Sequence, residues 1–324
     1  MTEAAVRTEE LTKTYWPGRG RAKEVRAVRG IDLEVRRGEL FGLIGANGAG
    51  KSTMIGMLNT LITPTSGRAW VMGADVAREP MRIKRRCAVV GQHSSMDREL
   101  SVAENLEFSG RYTGLRPREA RARAAELLER FDLTGRKDAL AMHVSGGQLR
   151  RMVIARALMR TPELLFLDEP TAGIDPQTRI TLWQHLDRLR ESGLTMLATT
   201  HYLEEAEAIC DRVAIIDGGK LIACDTVDAL KAAGNTAVTV TFDGPPPVLP
   251  GRLLGRPGTV SSQVDGGRLR VITSRPDGLV GELTAAAAQA NVSVVDVSTI
   301  QSSLQSVYLA LTGRVYNAGR RVEI

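Results

Sequence analysis

The nine residues Gly45–Thr53, GANGAGKST, have the types and the spacing that bind phosphate. They fit the pattern G-x-x-x-x-G-K-[ST], follow the apolar run LFGLI and precede the helical pattern TMIGMLNTL. In such a loop, backbone N–H groups wrap phosphate oxygens and the N-terminus of the next helix adds a positive dipole. The pattern predicts that Lys51 reaches the β- and γ-phosphates and that Ser52 binds Mg²⁺. The candidate nucleotide ligands in this loop are Gly45, Asn47, Gly48, Gly50, Lys51, Ser52 and Thr53.

Two adjacent carboxylates, Asp168 and Glu169, follow a second apolar run in LLFLDEP. A carboxylate at the end of a buried strand can provide a second anchor for Mg²⁺, here through a water molecule. Glu169 can orient or deprotonate the attacking water as a general base. An acidic pair after a strand can also be a solvated loop, but a phosphate loop in the same chain favours a site for phosphoryl transfer.

The segment VSGGQ, residues 144–148, offers a hydroxyl, two glycines and an amide just before a helical pattern. Ser145 and Gln148 have the spacing of a capping box, in which each side chain satisfies a backbone N–H of the other residue. Capping does not require Gly146 and Gly147. Their missing side chains are explained if a phosphate group must approach the backbone. A second capping box, Ser101 to Glu104, is interpreted as structural only.

In these motifs the chain resembles the ATP-binding subunits of ABC transporters, whose signature usually reads LSGGQ. Here Val144 replaces the leucine, an apolar exchange that leaves the polar residues intact. Further motifs of the family match Tyr15 for stacking on adenine, Gln92 for the Q-loop, Asp175 for the D-loop and His201 for the switch histidine. Trp16 is an alternative to Tyr15. The resemblance implies an α/β P-loop ATPase domain with a mostly parallel sheet and a helical signature subdomain.

The resemblance also implies a role for each matched residue. The chain would be an ATPase that uses ATP and Mg²⁺. The catalytic group comprises Glu169, His201, Lys51 and Gln92, and the metal group comprises Ser52, Gln92 and Asp168. Nucleotide contacts outside the phosphate loop come from Tyr15, Ser145, Gly146, Gly147, Gln148 and Asp175.

In this family the signature closes on the ATP held by a second copy. The resemblance therefore implies a head-to-tail homodimer with two ATP molecules, although pairing with a different ATPase chain stays open. It also implies a separate multi-span permease and a location at the cytoplasmic face of the membrane. A short helix of that permease is expected to dock near residues 92–105. We expect no nucleic-acid partner.

The composition changes after the ATPase motifs. Residues 1–230 alternate strand-like and helical patterns, which favours a parallel sheet. Residues 231–324 read as a small α+β domain with a basic tail, containing strand candidates TAVTVTF, RLRVITS and VSVVDVS and helix candidates GLVGELTAAAAQA and SLQSVYLALTG. This layout resembles ATPases of the daunorubicin-resistance exporter type, which export drugs or other amphipathic compounds. A regulatory, a permease-binding and a purely stabilising role for this domain all stay open.

The bulk properties set limits on the function. The chain has 324 residues, 43% hydrophobic residues and a net charge of +6, as expected of a soluble globular protein. The polar start predicts no secretory signal, and no apolar run approaches the roughly 20 residues of a membrane span. The scattered cysteines Cys87, Cys210 and Cys224 predict idle thiols. An importer ATPase with a regulatory C-terminal domain, or an ABC ATPase acting on ribosomes or DNA, are the alternatives.

Overall fold

The computed structural model describes residues 4–16, 24–92, 96–247, 255–300 and 302–312. The chain divides into two compact units, Met1–Cys224 and Asp225–Ile324. This division lies six residues before the start of the C-terminal domain expected from the sequence. The predicted basic tail, which follows residue 316, and residues 248–254 lie outside the described residues.

The first unit contains two sheets and seven α-helices among its described residues. The strands are β1 Ala4–Tyr15, β2 Val25–Arg36, β3 Leu40–Ile44, β4 Ser66–Val71, β5 Ala74–Asp75, β6 Cys87–Val90, β7 Leu164–Asp168, β8 Thr195–Thr200, β9 Arg212–Asp217 and β10 Lys220–Thr226. The helices are α1 Lys51–Leu58, α2 Pro80–Arg86, α3 Val102–Tyr112, α4 Pro117–Arg130, α5 Gly146–Ala157, α6 Pro176–Glu191 and α7 Leu203–Ile209. Short 3₁₀ turns cover Thr134–Arg136, Ala141–His143 and Leu158–Arg160.

The central sheet has the strand order β10-β9-β3-β8-β7-β6, and its pairs β9–β3, β3–β8, β8–β7 and β7–β6 are parallel. Both faces of this sheet are covered. Leu164 and Phe166 of β7 point into one hydrophobic core, whereas Leu165 and Leu167 point into the other. Two-sided burial explains why the strand sequences are continuous apolar runs rather than alternating ones. The expected parallel α/β core is confirmed.

A second, antiparallel sheet in the order β2-β1-β4-β5 packs against the first core with α1. The β1–β2 pairing shifts register at four points, and Glu10 of β1 has a positive φ of 46°. Bulges of this kind break the alternation of apolar and polar residues along a strand. For that reason the sequence pattern did not reveal this sheet.

The helices α3, α4, α5 and α6 cover the other face of the central sheet and share its second core. Helix α3 begins at the predicted capping box, where Glu104 N donates to Ser101 Oγ and Ser101 N donates to Glu104 Oε2. The structural interpretation of that motif is therefore confirmed. Helix α5 begins at Ser145, so the signature lies at the N-terminus of a helix in this layer.

The second unit contains an antiparallel sheet in the order β12-β13-β11-β14. Its elements are α8 Val227–Ala232, β11 Thr236–Phe242, β12 Thr259–Asp265, β13 Arg268–Thr273, α9 Leu279–Gln289, β14 Val294–Ile300 and α10 Leu304–Thr312. Val238, Val240 and Phe242 alternate along β11 and pack with Leu279 and Leu283 of α9. The three strands and two helices predicted here are present, and the structure adds α8 and β12.

The helices of the described ranges all lack the length and apolar content that a membrane span requires. Cys87, Cys210 and Cys224 form no disulfide bond in the described ranges. Burial raises the pKa of Cys87 to about 12 and also raises the pKa of Cys210, so both thiols stay protonated at neutral pH.

Candidate nucleotide-binding and hydrolysis site

Four parallel strands end at one edge of the central sheet, and the predicted site residues follow their carboxyl ends. The phosphate loop follows β3, and His201 follows β8. Asp168 is the last residue of β7, Glu169 comes directly after it, and Gln92 comes two residues after β6. In register, Ile44 pairs with Thr200 and Asp168 pairs with Thr199. The carboxyl edge of a parallel sheet is the usual position of a ligand site in α/β proteins.

The phosphate loop depends on glycine at three positions. A Cβ at Gly45 would collide with the carbonyl oxygen of Ile216, and one at Gly50 would collide with that of Ala27. Gly48 and Gly50 have positive φ angles of 79° and 107°. These residues therefore allow a tight loop that ends in the N-terminus of α1, where the first turn carries no acidic residue.

Lys51 is buried beneath this loop, and its Nζ donates to the carbonyl oxygens of Gly45 at 2.7 Å and Ala46 at 3.1 Å. Burial lowers the pKa of Lys51, and the nearby carboxylates of Glu169 and Asp168 partly oppose that shift. A poorly solvated ammonium group favours an anionic ligand because that ligand restores the interactions lost with water.

Ser52 and Asp168, two of the three candidate metal ligands, are in hydrogen-bonding contact. Ser52 Oγ donates to Asp168 Oδ1 at 3.2 Å, and Thr199 Oγ1 donates to the same oxygen at 2.6 Å. Thr199 was missed by the sequence reasoning, although it lies two residues before His201 in the motif TTH. No cluster of three or more His, Cys, Asp or Glu side chains capable of holding a metal occurs in the described ranges. The oxygen donors of Ser52 and Asp168 nevertheless fit Mg²⁺, which prefers few protein ligands together with phosphate oxygens.

Glu169 and His201 also lie together, with 3.3 Å between Glu169 Oε2 and His201 Nδ1. That nitrogen is buried and has no hydrogen-bond partner in the described part of the chain, so the contact has the distance but not the direction of a hydrogen bond. Glu169 has a positive φ of 47°, which is unusual for a residue with a side chain. Strain of this kind is common at functional sites.

The signature residues start α5, and both bonds of the predicted capping box are present. Gln148 N donates to Ser145 Oγ at 3.3 Å, and Ser145 N donates to Gln148 Oε1 at 3.0 Å. The two glycines differ. A Cβ at Gly146 would meet open space, whereas one at Gly147 would collide with Cγ2 of Thr178. Contact with Thr178 of α6 is therefore enough to require glycine at position 147. The approach of a phosphate group to the backbone is needed to explain glycine only at position 146.

The remaining predicted residues lie at the surface. Tyr15 ends β1 with 38% exposure and has Lys13 Nζ 5.1 Å from its ring centroid, while Trp16 is 68% exposed. Asp175 caps α6 by accepting from Thr178 N, and this interaction lowers the pKa of its carboxyl. Gln92 is exposed and forms no hydrogen bond to Ser52 or Asp168 among the described residues.

A buried carboxylate, Glu205 of α7, connects the loops on both sides of the site. Its Oε2 accepts from Thr171 Oγ1 at 2.7 Å and from Thr200 Oγ1 at 3.2 Å, and its Oε1 lies 3.0 Å from Arg179 Nε. Arg179 also stacks over Tyr202 at 4.1 Å. Burial raises the pKa of Glu205 despite these partners. The sequence does not reveal this network, because its members lie far apart along the chain.

A phosphate loop after one strand, an acidic pair after another and a histidine after a third define an ATP-hydrolysing P-loop cassette. The sequence profile described as ABC transporter matches residues 28–172. The chain is 40% identical to the daunorubicin resistance ATP-binding protein DrrA3 of Streptomyces coeruleorubidus, with 97% of each chain covered. It is 37% identical to the linearmycin resistance ATP-binding protein LnrL of Bacillus subtilis, covering 89% of this chain and 94% of that one.

Among solved structures, the chain is similar to a dimeric ATP-binding cassette in a post-hydrolysis state bound to ADP and Pi. The TM-score is 0.61 at 26% identity, covering 68% of this chain and 98% of the cassette. The chain belongs to the ATP-binding proteins of the ABC transporter family, and its relatives include drug-resistance ATP-binding proteins. It is an ABC ATPase of the exporter type, as the sequence predicted. The relatives above give no support to the importer, ribosome or DNA alternatives.

Proposed function

We propose that this chain hydrolyses Mg-ATP as one of a pair of identical subunits, and so powers efflux of an amphipathic, drug-like compound through a separate membrane permease. The observation that carries the proposal is the meeting of Lys51, Ser52, Asp168, Glu169 and His201 at one sheet edge. These residues supply a phosphate ligand, two metal donors, a base and a polar group beside that base.

The chain's own residues suit each requirement of hydrolysis. Backbone N–H groups of the phosphate loop and the Lys51 ammonium bind phosphate oxygens, while Ser52 and Asp168 hold the metal, with Gln92 as a further candidate ligand. Bound Mg²⁺ would neutralise charge that develops on the phosphates. Glu169 accepts the proton of the attacking water. His201 lies where it can contact the γ-phosphate and keep Glu169 in place.

The signature supports pairing of two copies. Gly146 leaves its side of the helix N-terminus open, because a Cβ at this position would meet no atom within 4 Å. An open helix N-terminus attracts anions. We propose that Ser145, Gly146 and Gln148, with Asp175, act on the ATP of the second copy. A two-fold pair then completes two sites at once.

A groove beside β6 and α3 fits the expected permease contact. It has a volume of about 490 Å³ and overlaps the region predicted from the sequence. Phe108 and Tyr112 line it with 64% and 84% exposure and stack at a centroid distance of 6.5 Å. Exposed cations, Lys84 and Arg160, also line the groove. We propose that a short amphipathic helix of the permease with acidic residues docks here, at the cytoplasmic face of the membrane.

The test is a capture experiment from native membranes with Mg-ATP present. Tagged Glu169→Gln, which should trap ATP, is compared with the same variant that also carries Phe108→Ser and Tyr112→Ser. The proposal predicts one multi-span membrane protein that co-purifies with the first bait and is lost with the second. Capture of ribosomal proteins or DNA in place of a membrane protein, or equal recovery by both baits, would contradict it. A variant that carries Phe108→Ser and Tyr112→Ser but keeps Glu169 serves as the folding control. It should still hydrolyse ATP when it is assayed without detergent.

A further inference from the structure

Arg150 lies in the second turn of α5, two residues after Gln148, and no motif of the sequence analysis included it. Its side chain is buried, with the whole residue 8% exposed. Burial lowers the pKa of its guanidinium to about 10, partly opposed by Asp168, so the group stays charged at neutral pH. A buried charge is costly unless hydrogen bonds satisfy it, and the partners of this guanidinium therefore matter.

In the described part of the chain, the hydrogen-bond partners of Arg150 are backbone carbonyl oxygens beside the catalytic loops. Nε donates to Pro170 O at 2.6 Å, and Nη2 donates to Asp168 O at 3.3 Å and Glu169 O at 3.1 Å. Nη1 donates to Gly91 O at 2.7 Å. One planar group thus holds three consecutive peptides after β7 and the peptide that leads into Gln92.

Glu169 is fixed on both sides by this arrangement. Its N–H donates to Thr199 Oγ1 at 2.9 Å, and its carbonyl accepts from Arg150. These two bonds hold the residue at its positive φ of 47°, a conformation that costs free energy and persists only when neighbours enforce it. The direction of the Glu169 side chain depends on that backbone conformation.

We propose that Arg150 is a positioning residue, which sets the Glu169 carboxylate from the helix that begins with the signature. The inference rests on the proposed function, in which Glu169 is the base. Because the same helix begins at Ser145, a displacement of α5 when the signature binds its ligand moves the guanidinium that holds Glu169. The position of Glu169 at the ATP site of its own chain then depends on whether the signature of that chain contacts the ATP of the second copy.

The matched control is Arg151, the next residue on the same helix. It is also an arginine with little exposure, 15% for its side chain, but it contacts Phe131 O at 2.9 Å and lies 3.7 Å from Asp132, away from the catalytic loops. Arg150→Gln and Arg151→Gln each remove one such guanidinium from α5. Arg150→Lys keeps the charge, but an ammonium group carries its N–H donors on one nitrogen and cannot replace the planar fork that reaches these separated carbonyls.

The experiment measures kcat, ATP Kd and Tm for these three variants and for the wild type. Misplacement of a catalytic group by about 1 Å can cost roughly 10²-fold in rate, so Arg150→Gln should lose about 10²-fold in kcat with little change in Kd. Arg150→Lys should lose most of kcat as well, and Arg151→Gln should keep it. Equal kcat losses in the two glutamine variants at matched Tm would overturn the inference. If Arg150→Gln does not fold, Arg150→Lys decides in the same way.

A second measurement separates this inference from the proposed function. In a Glu169→Gln background, Arg150→Gln should add no further loss to the residual single-turnover rate, because its effect acts through Glu169. A full additional loss would overturn the positioning role. If Glu169→Gln alone hydrolysed ATP at the wild-type rate, the proposed function would fail instead, whatever Arg150 does.

Discussion

His201 Nδ1 lies 3.3 Å from Glu169 Oε2 at the carboxyl edge of the sheet, and both side chains are about 15% exposed. The two residues follow neighbouring strands, β8 and β7, whose parallel register aligns their ends. The histidine therefore stands beside the proposed base without a hydrogen-bonding direction toward it. A ligand that enters the site can supply the missing partner.

We predict that His201→Ala slows ATP hydrolysis by about 10²–10³-fold, the usual loss when one contact to the transition state is removed. ATP binding should change little, since the phosphate loop lies on other elements. Steady-state kinetics and ATP titration check this result. His185 provides the control, because it packs 5.3 Å from Phe131 in the helical layer, and a rate loss of the same size in His185→Gln would argue against a specific role for His201.

Gly147 and Gly146 should respond differently to alanine. Gly147→Ala introduces a collision with Thr178, and overpacking of this kind typically destabilises by about 1–3 kcal/mol. Thr178→Ser removes the methyl group concerned, so the double variant should recover most of the lost Tm. Gly146→Ala should keep the wild-type Tm but weaken ATP-dependent pairing. Thermal unfolding and sedimentation distinguish these effects, and a large Tm loss in Gly146→Ala would contradict the assignment.

Tyr15 and Trp16 can be separated by single substitutions. Stacking of a base on an aromatic ring contributes about 1–3 kcal/mol, so Tyr15→Ala should raise the ATP Kd by roughly 5–150-fold. Trp16→Ala should leave Kd unchanged. Equilibrium titration with ATP measures both, and the reverse result would assign the stacking to Trp16.

The buried carboxyl of Glu205 predicts a pH dependence of stability. Burial raises its pKa above the ordinary value of 4.5, so in this pH range the folded state binds more protons than the unfolded state. The stability from this group is therefore fully present below pH 4.5 and is lost as pH rises through the raised pKa. Glu205→Gln, which cannot ionise, should lack this loss. Thermal unfolding at a series of pH values should show the wild-type Tm declining relative to the variant as pH rises from 4.5. A constant difference would contradict the prediction.

Much of the site was predictable because its motifs are local in sequence. Gly45–Thr53 combine a loop, a helix start and a charged side chain in nine residues, and the apolar run before Asp168 marks a buried strand. The long-range partners were not predictable. Thr199 reaches Asp168 only through parallel pairing of β7 and β8, and Arg150 reaches Gly91 across 59 residues of sequence.

Two parts of the fold were also missed for physical reasons. The paired strands β1 and β2 contain bulges that interrupt the alternating pattern. Strand β12, TVSSQVD, lies at a sheet edge and is largely exposed, so it has no apolar run to reveal it. At Gly147 the sequence indicated that glycine is needed, but it could not show that contact with Thr178 is one reason.

We propose that Glu169 is the base at an ATP site that the signature of a second copy completes. Sedimentation velocity of Glu169→Gln, with and without Mg-ATP and with bound nucleotide counted, tests it most directly. We predict a monomer without nucleotide and a dimer with two ATP molecules when Mg-ATP is present, alongside a loss of about 10²–10⁴-fold in hydrolysis. A strictly monomeric profile with Mg-ATP, or a variant that still hydrolyses ATP at the wild-type rate, would contradict the claim.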